Sequence, residues 1–370
     1  MSFDLIKLVV VAEYKILIVL IIVASIASII FEIYHRRKKR FILFVEENLY
    51  RMITQKIDIV QEYFPNKVMY LKYILPCIQK FDALFKDPFW DYLKRQILGK
   101  YLAKEVYYHL YSFHWGRSNI AIQAIRFLPL PKYEDEVLKY LHTKKKDIIR
   151  FSAADCAMRY NTKKSIRALV DALSEEPYRT QFPFRDPLVY SAESTHSIIN
   201  EYYRETTNIK VKIACLKILS LKVGYLSIED AKEYLSSDNL ELRFWSIRAL
   251  ENLPSPETTE LLLKLYNDKH WIIRSLVAYI YGAFKITTSI DNLVELLYDE
   301  HYYVSFMAAL CLNYFGDEGK KILASPPKID ERVFKNCQYI LSLPETSFEK
   351  GLQKFFPINQ DPLTIIEAIL

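Results

Sequence analysis

The chain has 370 residues, 51% of them hydrophobic, which allows a large buried core spread over two or three domains. Only 7 are Gly, and no G-x-G-x-x-G or Walker-type spacing can be assembled from them, so the phosphate-cradling loops of nucleotide-binding folds are excluded. Of the formal net charge of +6, five units sit in Arg36, Arg37, Lys38, Lys39 and Arg40; the near-neutral remainder speaks against a nucleic-acid-binding surface.

The first element is a candidate membrane span. Ile16–Phe31 carries no charged residue. The run is shorter than the roughly 20 residues of a spanning helix, but Lys15 can snorkel, and Tyr14 and Tyr34 suit the interfacial aromatic belt. Leu8–Ala12 continues the apolar pattern outward. Ala24-Ser25-Ile26-Ala27 resembles a signal-peptide cleavage site, yet apolar residues continue to Phe31 and the basic cluster follows, which is a stop-transfer pattern. The N-terminal flank carries only Lys7 and Lys15, so the positive-inside rule puts the N-terminus outside and the body in the cytoplasm. The expectation is a single-pass protein, residues 1–40 forming the anchor, whose flank Arg36–Arg40 also touches the head groups of the lipid bilayer.

Residues 41–116 have helical periodicity without a fixed repeat and read as a neck and N-terminal cap. From residue 117 to 325 a repeat takes over. Arg150, Lys212, Arg243, Arg274 and Ser305 are spaced by 62, 31, 31 and 31 residues, the first interval twice the others. One residue before them stand Ile149, Val211, Leu242, Ile273 and Val304; three after stand Ala153, Cys215, Ser246, Val277 and Ala308, mostly small; seven after stand Ala157, Leu219, Leu250, Tyr281 and Leu312. Asp147, Asn208 and Asn239 suit helix N-caps. Breaks at Lys222-Val223-Gly224, Leu253-Pro254-Ser255-Pro256 and Phe315-Gly316 precede second helices, whose apolar face is Leu169, Val170 and Ala172, then Leu262, Leu263 and Leu265, then Leu293, Val294 and Leu296. The unit is a helix pair that must stack on its neighbours to bury its faces. The register is interrupted near 174–207: Pro177, Pro183 and Pro187 punctuate Ser174–Leu188, a helix resumes around Leu188–Tyr203, and the stretch reads as a degenerate repeat carrying a loop insertion. Residues 326–370 read as a C-terminal helical cap, with a helix start at Asp361-Pro362.

The pairs Ile149-Arg150, Val211-Lys212, Leu242-Arg243 and Ile273-Arg274, with the small residues one turn on, resemble HEAT repeats of the short kind named after phycobilisome lyases. That resemblance implies an all-α, right-handed α-solenoid of HEAT-like pairs, here preceded by one transmembrane helix. It specifies fold well and function poorly, because such arrays serve many binding roles. The layout of one apolar helix followed by HEAT-like repeats is also similar to bacterial membrane proteins that accompany glycosyltransferases of polysaccharide synthesis.

No catalytic constellation emerges. Cys77, Cys156, Cys215, Cys311 and Cys337 lie in apolar helical contexts without C-x-x-C spacing and read as reduced, buried thiols. The seven His form neither H-x-x-x-H nor H-E-x-x-H; His270 and His301 share the repeat position just before a first helix and read as caps. There is no G-x-S-x-G. Glu175-Glu176, Glu229-Asp230, Lys144-Lys145-Lys146 and Lys163-Lys164 read as solvated faces. No enzyme, metal, cofactor, small-molecule substrate or nucleic acid is expected; a lyase-like enzyme would need a nucleophile or cofactor site that these residues do not supply.

The expected function is a membrane-tethered, protein-binding scaffold, with an accessory subunit of a membrane enzyme complex as the narrower alternative. The resemblance implies that second helices line the concave face. Positions seventeen and twenty-one after the pivots then face outward: Arg167 and Asp171, Glu229 and Glu233, Glu260 and Lys264, Asp291 and Glu295. The acids predominate, so a basic protein segment is the expected partner.

Overall fold

The structure, a computed structural model, describes residues 3–57, 71–143, 147–177 and 180–343, with side chains from residue 14 onward. The Lys144–Lys146 run and residues 344–370, with Asp361-Pro362, lie outside the described residues. Among the described residues all regular structure is helical, nineteen α-helices with short 3₁₀ turns and one π segment. The chain divides into two compact units, Met1–Tyr160 and Asn161–Leu370. The division falls inside the repeat that begins at Arg150, and no composition shift marks it.

Unit 1 holds α1 (Phe3–Gln55), α2 (Leu71–Leu84), α3 (Pro88–Lys94), α4 (Ala103–Leu110), α5 (Trp115–Phe127), α6 (Glu134–Lys139) and α7 (Asp147–Tyr160), with the π segment Arg95–Tyr101 between α3 and α4. The helix α1 is long and apolar enough to cross a membrane, and its most apolar window is wholly unburied. It runs without a break past Arg40. Beyond that cluster its character changes: Val45, Leu49, Met52 and Ile53, at helical spacing, are buried. They face α2, which buries Leu71, Ile74, Leu75, Ile78 and Phe81. Polar contacts tie the two helices: Tyr34 and Tyr73 share a hydroxyl hydrogen bond at 2.8 Å, and Lys80 Nζ lies 2.8 Å from Glu46. Asp87 caps α3, accepting from the N–H groups of Phe89 and Trp90, with Pro88 at the position where a missing N–H costs nothing.

Unit 2 holds α8 (Lys163–Glu175), α9 (Phe182–Val189), α10 (Glu193–Glu205), α11 (Ile209–Leu219), α12 (Ile228–Lys232), α13 (Leu240–Leu250), α14 (Pro256–Leu263), α15 (Trp271–Ala283), α16 (Ile290–Leu296), α17 (Tyr302–Tyr314), α18 (Asp317–Ala324) and α19 (Glu331–Ser342). The first helices α11, α13, α15 and α17 stack in sequence, each on the one a repeat earlier. The columns read from the period are the core: Cys215, Ser246, Val277 and Ala308 are completely buried, as are Leu219, Leu250, Tyr281 and Leu312. Asn208 and Asn239 cap α11 and α13 through their side-chain oxygens. Three second helices, α8, α12 and α14, start on side-chain caps, Thr162 and Ser227 with reciprocal capping boxes and Ser255 followed by Pro256.

The basic pivots are structural. Arg274 grips Asp299 with two parallel bonds, Nε–Oδ2 at 2.6 Å and Nη2–Oδ1 at 2.9 Å; Arg243 pairs with Asp268 through one hydrogen bond, Nη2–Oδ1 at 3.2 Å, and a 3.1 Å ion-pair approach of Nε to Oδ2. Both acids also accept the backbone N–H two residues on, from His270 and His301. Ser305, at the non-basic pivot, donates instead to the Leu297 carbonyl at 2.6 Å.

The stretch 174–207 holds a helix pair of its own, α9 and α10. Thirty-one residues after Arg150 stands Gln181, the N-cap of α9, and the core columns continue as buried Phe184 and Leu188. The doubled interval thus contains a repeat whose pivot is not basic and whose prolines resemble a loop. Pro183 lies in the first turn, and Pro187 sits one turn on, where the carbonyl it leaves without an N–H partner is that of Pro183. Past α17, α18 packs so closely that a Cβ on Gly319 would lie 1.8 Å from the Leu312 carbonyl oxygen.

Candidate interaction surface

The outward residues of the second helices lie where helical geometry puts them. Glu229 in α12, Glu233 at its C-cap, Glu260 in α14, and Asp291 and Glu295 in α16 are all exposed. Asp171 on α8 is half-buried and accepts a 2.6 Å hydrogen bond from Tyr202, so it is turned into the stack.

This face is more balanced than its acids alone suggest. Lys264 holds Glu260 at 2.7 Å and keeps its carboxyl below the usual carboxylate range. Lys232 on α12 reaches Glu257 on α14 at 2.7 Å, linking successive second helices, and that bond raises the lysine above its ordinary value. Lys212 lies 3.8 Å from Glu233 and donates to Tyr234 at 2.6 Å. Glu295, an acceptor beside Tyr266, raises the pKa of the tyrosine hydroxyl. The result is a ladder of acids interleaved with lysines, with Glu229, Glu233, Glu257 and Glu260 gathered on neighbouring helices.

Two acids of the same kind escaped the period. Glu201 and Glu205 on α10 are exposed and pair with α8: Lys163 Nζ is 2.5 Å from Glu201, and Arg167 is 2.5 Å from Glu205 and stacks over Tyr202 at 4.8 Å. The hydrogen bond from Lys163 lowers the pKa of Glu201. Arg167 and Lys163 are therefore committed within unit 2. Counting from Gln181 does not find these acids: seventeen and twenty-one residues on stand Ile198 and Tyr202, so they fall outside the register of the other second helices.

At the start of the first helices, His270 accepts from the Ile272 N–H at 3.4 Å, a cap. His301 makes no such bond; it stacks flat on Trp271, centroids 3.8 Å apart and planes 7° apart. Burial lowers the pKa of both imidazoles. All five Cys are buried and free, and burial pushes the Cys77 and Cys337 thiols up to about 11. Among the described residues no group of three or more His, Cys, Asp or Glu gathers as a metal site. The basic flank Arg36–Arg40 is exposed on α1, with Arg36 Nε 2.7 Å from Glu32.

No family model matches the chain, and no curated relative matches it. Solved structures do. An engineered protein is 15% identical, with 88% of this chain and 98% of that one covered at a TM-score of 0.32. Human deoxyhypusine hydroxylase is 16% identical, with 69% and 98% covered at 0.27. A mutant of Kap121p is 11% identical at 0.35; 90% of this chain is covered, but it spans only 44% of that protein. At these scores the likenesses carry no argument about function, and the helical-repeat architecture rests on the stacked pairs themselves.

Proposed function

We propose that the chain is a membrane-tethered protein-binding scaffold and not an enzyme. In this reading α1 is a single-pass anchor with its N-terminus outside, and the repeats lie in the cytoplasm as a HEAT-like array. The observation that carries the reading is the two-ended character of α1: one unbroken helix is apolar and exposed over Ile16–Phe31, basic at Arg36–Arg40, and beyond them buries one stripe, Val45, Leu49, Met52 and Ile53, in the core of unit 1. Such a helix would tie the body to the bilayer without a flexible linker and raise the local concentration of a partner at the membrane surface. The ladder on α12, α14 and α16 is the proposed binding face, and its acids favour a basic protein segment while repelling nucleic acid.

The test is affinity purification of the full chain from detergent-solubilised membranes, with bound protein identified by mass spectrometry, repeated for a variant reversed at Glu229, Glu233, Glu260 and Glu295. The reading expects a partner with a basic segment that the variant loses. A partner retained with the same affinity and salt response removes the ladder from consideration, and recovery of no partner contradicts the scaffold itself.

A further inference from the structure

Unit 1 exposes a cluster of large aromatic side chains that its core does not use. Phe113, at the tip of the α4–α5 turn, is 107% exposed; Tyr108 is 70%, Tyr107 50%, Tyr111 49% and Trp115 47%. Tyr107 and Tyr111 pack together with their rings tilted at 45°, centroids 4.8 Å apart. So much aromatic surface on one turn marks an interaction site more readily than a solvated loop.

Its position follows from the contacts within this unit. Tyr34, three residues past the apolar run of α1, hydrogen-bonds Tyr73, and Phe41 packs edge-on against the same ring at 5.7 Å. At 1.5 Å per residue, the first turn of α2 therefore sits between the levels of Tyr34 and Phe41, about 5–15 Å beyond the end of the apolar run. Farther along, Glu46 meets Lys80 and Lys56 meets Asp87, so α2 runs away from the apolar end of α1. Helix α5 runs in the same direction as α2. Leu75 and Gln79 share one cleft with Gln123, Arg126 and Phe127, and Asp82 shares the next with Arg126, Phe127 and Pro129. Continuing that register backward puts Leu71 level with Asn119 and carries Trp115 about 6 Å farther toward the apolar end. Glu105, in the first turn of α4, lies level with the start of α2, accepting from the Leu71 N–H at 3.1 Å, and from there α4 runs beside α5 to the α4–α5 turn. Burial pulls His109 below its usual range, Glu105 opposes this, and nearby Arg117 and Lys72 add to the drop.

We propose that the α4–α5 turn is a second membrane contact, with Phe113 and its neighbouring tyrosines and Trp115 seated in the head-group layer beside α1. The proposal rests on the anchor reading of α1. Tyr and Trp are the side chains that favour this layer, since each offers an apolar ring and a polar atom. The charges fit an anionic leaflet: Arg36–Arg40, Lys72, Lys104 and Arg117 are exposed at this end of the unit. The nearby carboxylates are engaged, Glu105 by the Leu71 N–H and Glu136 by Lys139 at 2.8 Å. Two contacts would hold unit 1 at a fixed tilt instead of leaving it to swing on a single helix.

The test uses the full chain in nanodiscs of phosphatidylcholine and phosphatidylglycerol, with and without bromine on the upper acyl carbons. A bimane label is placed in separate variants at Phe113→Cys, Tyr108→Cys, Ser25→Cys and Lys86→Cys; the native thiols are buried, so the introduced one reacts. Brominated lipid is expected to quench labels at 25, 113 and 108 and to spare the one at 86. Quenching at 25 with undiminished emission at both 113 and 108 overturns the proposal and leaves a protein partner as the occupant, while the anchor stands. Loss of quenching at all positions removes the anchor and this contact together. Agreement of the 113 and 108 labels guards against one substitution disturbing the turn.

Discussion

In unit 2 the first helices α11, α13, α15 and α17 each rest on the one a repeat earlier, whereas unit 1 is assembled around the end of a single long helix. The difference shows in what holds each region. Unit 2 is built of interchangeable layers: a small column, a large column and, at two of its pivots, an arginine clamped on an aspartate twenty-five residues later. Unit 1 has fewer equivalent positions. Its core depends on the α1 stripe and on particular side chains such as Trp90, whose indole N–H donates to Asp82 at 3.1 Å while Lys94 reaches the same oxygen at 2.5 Å. A stack of layers offers a long outer face, and a body clasping a membrane-competent helix offers an orientation.

The layered account predicts its largest effect at the clamps. Asp299→Ala would leave Arg274 buried without its partner and strip the His301 N–H of an acceptor, at a cost of about 3–5 kcal/mol. Replacing both partners with apolar residues of similar volume should cost much less, which urea unfolding of the detergent-solubilised chain can check. Equal losses in the single and double variants would mean that the clamp is not a coupled pair. Next come the close approaches: Ala308→Trp, in the fully buried small column, and Gly319→Ala, against the Leu312 carbonyl, should each destabilise by about 1–3 kcal/mol or more. An unchanged melting temperature for Ala308→Trp would break the column alignment.

A smaller effect concerns pH. His270 and His301 have folded pKa values below the ordinary 6.5, so the unfolded chain binds the proton more readily. Their contribution to stability is complete above the unfolded value and is lost as pH falls through the folded one. Melting temperature should therefore drop on acidification below about pH 6.5, and His301→Phe, which keeps a ring on Trp271, should flatten that slope. An unaltered slope would exclude His301 as a contributor. The smallest expected change is in stability on reversing Glu229, Glu233, Glu260 and Glu295, because these side chains are exposed: the melting curve should be preserved while partner binding weakens.

Much of unit 2 was legible because a stacked repeat imposes the same burial on the same position each time. Val211, Leu242, Ile273 and Val304 had to be apolar, and Asn208 and Asn239 had to satisfy exposed helix N-termini. Of the pair α9–α10 only the second helix was legible, as a helix resuming around Leu188–Tyr203; α9 was not, because Gln181 lacks the basic signature and Pro183 and Pro187 carry the usual signal of a loop. The partners of the pivots, Asp268 and Asp299, were also hidden, since each lies a whole second helix away in sequence. The acids of the outer face were placed by helical spacing, but spacing cannot tell which are already engaged, as Asp171 is by Tyr202 and Glu260 by Lys264. Nor did the pattern single out the aromatic turn of unit 1, where no period exists to separate an exposed tyrosine from a core one.

The central claim is that α1 anchors the chain with its repeats on the cytoplasmic side. A dual topology reporter fused after Leu370 measures it directly in cells. The account predicts activity of the cytoplasmic reporter alone for the unaltered chain, and mixed orientation once Arg36, Arg37, Lys38, Lys39 and Arg40 are all made neutral, because those charges resist translocation. A C-terminus on the far side of the membrane in the unaltered chain, or a soluble product cleaved after Ala27, would contradict it.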